Sequence, residues 1–267
     1  MGIGVKIAAD WHAALAALAW QVDLGVDEVI GDHAIDRYEL PETTKPAPVS
    51  PRAAAPAPVF VEAPKIDPVE VARSIAARAT SLDALRDGLA SFDLCDLKKG
   101  ARNAVFADGN PAARVLILGE APGLEEDREG RPFVGRAGQL LDRMFAAIGL
   151  SRTSPDPEAS LYITNVMPWR PPGNRDPEPA EIAMMRPFVE RHIALMDPDV
   201  IVVMGNTPLF ALTGQKGILR ARGTWSKALE RPLLPMTHPA YLLRNPIAKR
   251  EAWADLLSLQ AHLRAKG

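Results

Sequence analysis

The chain has one cysteine, Cys95, so no disulfide can close within it and no all-cysteine metal site can be built. No apolar run approaches the roughly 18 residues that a membrane-spanning helix needs, and no membrane partner is expected. A GxxxxGK[ST] phosphate loop and a dense carboxylate cluster are both missing, which argues against a nucleotide-processing enzyme. The first residues lack a basic start followed by a clear cleavage site, so a secretory signal is not expected and a cytoplasmic location is. Strong charge of either sign is missing too: 31 Lys and Arg stand against 33 Asp and Glu, a formal net charge of −2. The charge is nonetheless unevenly placed. Residues 216–267 hold ten basic and three acidic side chains, whereas residues 1–66 hold five basic and nine acidic ones. A basic end can attract phosphate backbones, and it equally fits a solvated surface.

What is present begins with an ordinary globular composition, 47 % hydrophobic and 24 % charged over 267 residues, enough for one substantial domain and an appendage. Trp11, Leu15, Leu18 and Val22 recur at helical spacing, which predicts an amphipathic helix from Asp10, its N-cap, to about residue 30. It forms the core of a helical extension over residues 1–40. Residues 41–68 hold eight prolines with little apolar periodicity and read as an extended linker. The compact domain is then expected over 69–267, opening with a helical stretch to about residue 89.

Beyond that, short apolar runs alternate with helical patterns. Residues 114–118 (RVLIL), 161–166 (LYITNV), 200–204 (VIVVM) and 233–237 (LLPMT) suit buried parallel strands. Residues 138–148, 178–196, 208–213 and 247–263 read as helices. The fold class expected is α/β: a three-layer α/β/α sandwich around a central, mostly parallel four-stranded sheet, with the N-terminal helical extension added. Ligands of such sheets bind at the carboxyl ends of the strands, where the chemistry-bearing segments lie.

The first strand runs into Gly119-Glu120-Ala121-Pro122-Gly123, and Gly130-Arg131-Pro132-Phe133-Val134-Gly135 follows. Such a turn brings backbone amides close to a ligand, and by itself it also fits a plain strand-to-loop turn. Phe133, framed by glycine and proline, can offer a ring on which a planar base stacks. The second strand carries Asn165 near its end, whose amide can match the N3–H and O4 edge of uracil; a strand-end asparagine capping a turn is the competing reading. The fourth delivers His238, then Pro239, Ala240, Tyr241, Leu242, Leu243 and Arg244. A neutral imidazole there can donate to an oxygen that becomes anionic. Leu242 or Leu243 can fill the gap left by an extruded base with Arg244 on a flanking phosphate, or can simply pack in the core.

Three ordered blocks, GEAPGLEEDREGRPFVGRAGQLL, ITNVMPWRPPGNRDPEP and THPAYLLRNP, resemble the uracil-DNA glycosylase superfamily, most closely its fourth, iron–sulfur-containing family. The resemblance runs from residue 92 to about 257. It implies a monomeric DNA-repair enzyme that flips uracil out of DNA and hydrolyses its N-glycosidic bond. Carried over by position, Gly119, Glu120, Ala121 and Gly123 line the uracil pocket, Phe133 stacks on the base, Asn165 reads its edge and His238 stabilises the departing uracilate. The catalytic candidates are His238, Glu120 and Asn165; the DNA-binding candidates are Arg136, Tyr241, Leu242, Leu243 and Arg244. Two departures matter. The family's cluster is held by four cysteines, and the corresponding positions here are Phe92, Cys95, Trp169 and Met185. No iron–sulfur cluster and no other cofactor is therefore expected, with packing as the local staple instead. The second is that Ala121 stands where the best-known members hold a water-activating aspartate, so cleavage is expected to follow a dissociative path. Gly123 replaces a bulky aromatic that excludes thymine in those members, which leaves room for deaminated purines. A covalent uracil-capturing relative would need a basic insert before the histidine that is not visible between residues 208 and 239, and a pure binding module would not need Phe133, Asn165 and His238 together. The apolar face of the N-terminal helix either packs back on the domain or meets a protein partner.

Overall fold

The computed structural model describes residues 11–26 and 67–265. The chain divides into two units, Met1–Val61 and Glu62–Gly267. In the first, helix α1 (Trp11–Asp23) carries Trp11, Leu15, Leu18, Trp20 and Val22 as exposed side chains. The helix ends at Asp23, short of the expected residue 30, because the chain turns at Leu24 and Gly25, with Gly25 at φ 87°. The Asp10 cap, residues 27–30 and the linker up to residue 66 lie outside the described residues.

The second unit opens with α2 (Pro68–Arg78) and α3 (Leu82–Ala90), where the sequence predicts one continuous helical stretch. The break has a local cause. Asp67 Oδ1 accepts from the Val69 N–H at 2.9 Å and starts α2; Ser81 Oγ accepts from the Ala84 N–H at 3.1 Å and starts a second helix. A short α4 (Leu97–Gly100) and strand β1 (Ala107–Gly109) lead to β2 (Val115–Gly119), α5 (Leu124–Glu129), α6 (Arg136–Ala146) and β3 (Leu161–Asn165). Next come α7 (Pro179–Met196), β4 (Val200–Met204), α8 (Asn206–Thr213), α9 (Ile218–Ala221), β5 (Ser226–Ala228) and β6 (Arg231–Met236). The unit closes with α10 (Pro239–Arg244), a 3-10 turn (Pro246–Ala248) and α11 (Lys249–Arg264). No helix among the described residues is long and apolar enough to cross a membrane.

The sheet has the order β1-β3-β2-β4-β6-β5. Its four parallel central strands, β3, β2, β4 and β6, are the four read from the sequence; β1 and β5 extend it to six as antiparallel edges of three residues each. Edges that short carry too few residues for an alternating pattern to register. Along the central strands successive side chains enter opposite layers. Leu116, Leu118, Tyr162, Ile201, Val203 and Leu233 join the core that contains residues of α2, α3, α7 and α8. Val115, Ile117, Ile163, Val202, Leu234 and Met236 join the core containing residues of α6 and α11. Both faces are covered, which is why these strands read as unbroken apolar runs. From β2 the chain crosses to β3 on one side and later to β4 on the other, so the strand order reverses at β2. The crevice beyond the carboxyl ends of β2 and β4 is the place where doubly wound sheets bind ligands.

Candidate active site

A cleft of about 650 Å³ opens at those strand ends, with Glu120, Phe133, Asn165, Thr207, His238 and Arg244 among its lining residues. It gathers side chains from the ends of β2, β3, β4 and β6 that are far apart in sequence. Gly119 ends β2 beneath it. A Cβ there would fall 2.2 Å from Asn165 Oδ1 and 2.5 Å from Phe133 Cε2, so only glycine lets the amide and the ring converge.

Asn165 is the last residue of β3 and 7 % exposed. Its Oδ1 is buried without a hydrogen-bond partner. A buried acceptor left unpaired costs about 1–3 kcal/mol, which a ligand N–H can recover. Phe133 is buried at φ 53°, a left-handed backbone rare for an aromatic residue, and its ring stacks on His238 with centroids 5.4 Å apart and planes 30° apart. His238 is the N-cap of α10: its Nδ1 accepts from the Ala240 N–H at 3.1 Å. An accepting Nδ1 places the ring proton on Nε2. Burial, helped by the Arg244 charge and opposed by Glu126, lowers its pKa from 6.5 to about 4, so the ring is neutral near pH 7.

Glu120 Oε2 accepts from Thr207 Oγ1 at 2.6 Å, a bond that spans the ends of β2 and β4. Burial pushes its carboxyl above the usual range, the Thr207 hydrogen bond opposes this, and the charge of Asp176 adds to the rise. Ala121 and Gly123 also line the cleft. Thr207 escaped sequence reasoning because nothing in its local pattern marks it; only the parallel register brings it to Glu120.

The segment of residues 241–244, expected to bind DNA, belongs to helix α10. The candidate wedge Leu242 is fully buried, packed with Leu140 and Ala252, and is unavailable to DNA in this fold. The helix that His238 caps turns Leu242 inward. Tyr241 and Arg244 line the cleft, Leu243 is half-buried against the same small core, and Arg136 is exposed at the start of α6. Three residues beyond Arg244 in sequence, Ile247 is 93 % exposed.

Phe92, Cys95, Trp169 and Met185, the positions that the resemblance matches to cluster ligands, are all buried in one core. The Phe92 ring meets Phe188 edge-on at 5.5 Å, and Lys98 Nζ sits 5.9 Å over the Trp169 ring while donating to the Phe92 carbonyl at 3.3 Å. Burial raises the Cys95 thiol pKa, the reverse of what a metal ligand needs. Neither aromatic ring can ligate iron, and Met185 offers only a thioether, so this donor set does not fit a four-thiolate cluster. Among the described residues, no group of three or more His, Cys, Asp and Glu side chains could hold a metal ion.

Two buried imidazoles make stability pH-dependent. His192, bonded through Nε2 to the Tyr162 hydroxyl at 2.9 Å, has its pKa lowered by burial to about 3, beside about 4 for His238. A group whose folded pKa is depressed takes up its proton first in the unfolded chain. Stability is therefore full above about pH 6.5 and declines as pH falls toward 4. The buried carboxyls of Glu120 and Asp255, whose pKa values are raised, act in the opposite sense within the carboxylate range. Urea unfolding at pH 6.5 and pH 5 is expected to differ by about 2–4 kcal/mol, the larger value at pH 6.5; equal values would mean that these rings protonate freely in the fold.

The family model described as the uracil DNA glycosylase superfamily matches residues 106–257, more than half of the chain. A type-4 uracil-DNA glycosylase of Sulfurisphaera tokodaii is 40 % identical over 176 residues, covering 62 % of this chain and 77 % of that one. A type-4 uracil-DNA glycosylase of Thermotoga maritima is 42 % identical over 156 residues, 57 % of this chain and 77 % of that one. A DNA polymerase of Bacillus phage SP01 is 33 % identical over 150 residues, 56 % of this chain but 16 % of the polymerase.

Proposed function

We propose, from the premise that this chain belongs to the uracil DNA glycosylase superfamily, that it flips uracil out of DNA and hydrolyses its N-glycosidic bond to leave an abasic site. The observation that carries this reading is the orphaned Asn165 Oδ1 beside Gly119 and Phe133. Uracil brings an N3–H to that oxygen and an O4 to the amide's N–H; cytosine brings an acceptor to the oxygen and is repelled. Phe133 stacks on the base, and the backbone around Gly119, Glu120, Ala121 and Gly123 forms the floor. The Nε2–H of neutral His238 donates to uracil O2 as the bond to the sugar breaks and negative charge gathers there. With Ala121 at the position of the activating aspartate, the path is dissociative, and Glu120, held by Thr207, orients the water that completes it.

Arg244, Tyr241 and Arg136 contact the DNA backbone around the cleft, and the basic end from residue 216 onward supports that orientation. The gap in the stack falls to Leu243 or to Ile247, whose exposed side chain lies in sequence between Arg244 and the pair Lys249 and Arg250. The enzyme works as a cytoplasmic monomer without an iron–sulfur cluster, and its catalytic domain is residues 69–267. Residues 1–40, joined through the proline-rich stretch 41–68, are a candidate protein-binding extension. Gly123 and the size of the cleft support a range wider than uracil. Labelled single- and double-stranded oligonucleotides carrying uracil, hypoxanthine, xanthine or a thymine mispair test this together: uracil is excised in both forms, and a chain that excises none of the four is not a glycosylase.

A further inference from the structure

We infer that Glu126 and Arg152 are positioning residues that clamp the backbone around Phe133 from two sides and so set the plane of the ring on which the base stacks; this rests on the glycosylase reading above. Phe133 holds φ 53°, a conformation that a side-chain-bearing residue keeps only when its surroundings enforce it. On one side, Arg152 donates from Nη1 to the Pro132 carbonyl at 2.8 Å and from Nη2 to the Phe133 carbonyl at 3.0 Å. Its side chain is 8 % exposed and is itself anchored, Nε on Asp142 at 2.8 Å and Nη1 on Asp108 at 3.1 Å. On the other side, Glu126 Oε1 accepts from the Val134 and Gly135 N–H groups, each at 3.0 Å, while Oε2 accepts from the Gly123 N–H at 3.0 Å.

Two carbonyls and two amides in succession are thus tied to ionised side chains, the stronger class of hydrogen bond. Gly138 completes the arrangement: a Cβ there would lie 1.7 Å from the Phe133 oxygen, so α6 reaches the loop only because it carries none. Behind the loop lies a second cavity of about 370 Å³, lined by Asp108, Asp142, Arg152 and Phe133 itself. That space is where an unclamped loop can relax, and relaxation to negative φ would swing the ring off the His238 plane. The clamp also links the ring to the GEAPG turn, because one carboxylate holds Gly123 and the Phe133 loop together.

A double-mutant cycle tests the clamp. Arg152→Met and the isosteric Glu126→Gln are each expected to lower single-turnover excision of uracil by about 10- to 100-fold, the size of one lost base–aromatic stack. Affinity for abasic duplex, which offers no base to stack, should stay within about twofold because phosphate contacts dominate it. In a Phe133→Leu background the same substitutions should cost less than about threefold, since no ring remains to be aimed. Losses that repeat in full on Phe133→Leu overturn the clamp, as does an equal fall in abasic-duplex affinity. If thermal melting shows Arg152→Met unfolded, the Glu126→Gln cycle decides by itself. A wild-type chain that excises no uracil overturns the glycosylase reading and the clamp with it; an active wild type with additive losses overturns the clamp alone.

Discussion

His238→Ala is expected to lower single-turnover uracil excision by about 10²- to 10³-fold, the loss typical of one donor removed from a developing anion. The cause begins at the α10 cap. Ala240 N–H occupies Nδ1, so the proton is held on Nε2. Burial keeps the ring neutral down to about pH 4. The donation needed when uracil leaves as an anion is therefore in place before the bond breaks, and no proton has to be taken up from solvent. Two consequences separate this from a structural role. The contribution of His238, measured as the wild-type to His238→Ala ratio, should be flat from pH 5 to pH 8, whereas an imidazolium acid would lose it as pH rises through 6–7. Asn165→Ala should fall by a similar factor in rate while duplex affinity, set by phosphate contacts, changes little. Near-wild-type rates for both variants would remove this cleft from the chemistry.

The parts of this molecule legible in the sequence are those written in local pattern. The four parallel strands stand out because both faces are buried, which leaves unbroken apolar runs such as VIVVM between turn residues. Gly119, Phe133, Asn165 and His238 are legible as a set through the three ordered blocks that resemble the glycosylase superfamily, and the structure brings Phe133, Asn165 and His238 to one cleft with Gly119 against the first two. What escapes depends on three-dimensional register. Arg152 reaches carbonyls nineteen and twenty residues earlier, and Thr207 meets Glu120 across 87 residues. Nothing local marks either one. Glu126 is more accessible, since a carboxylate three residues after Gly123 is the spacing of a residue that folds back on a helix start. Leu242 shows the opposite failure: its place after His238 suggests a wedge, but a histidine that caps a helix commits the following residues to helical spacing and turns Leu242 into the core.

The same contrast governs Phe92, Cys95, Trp169 and Met185, the four positions that the resemblance matches to the cysteines of the iron–sulfur family. If packing has taken over there, stability should depend on the apolar replacements more than on the remaining thiol. Phe92→Ala is expected to cost about 3–5 kcal/mol and Met185→Ala about 2–5 kcal/mol, because each leaves a cavity in a region that cannot collapse freely. Phe92, Met185 and Trp169 are at most 2 % exposed, the Phe188 ring meets Phe92 edge-on, and Lys98 Nζ, over the Trp169 ring, donates to the Phe92 carbonyl. Set against a total of about 5–15 kcal/mol for an ordinary domain, either loss is a large fraction. Cys95→Ala removes one small buried group and should cost clearly less than either. A cluster protein would rank the other way, with the cysteine substitution the most damaging and a chelator destabilising the wild type. Urea unfolding of the three variants, with and without chelator, reads that ranking directly, alongside iron content and visible absorption of the purified chain. A colourless protein, indifferent to chelator and most sensitive at Phe92, is the expected result; a brown one carrying about four irons per chain would mean that the fold recruits its ligands from outside this core.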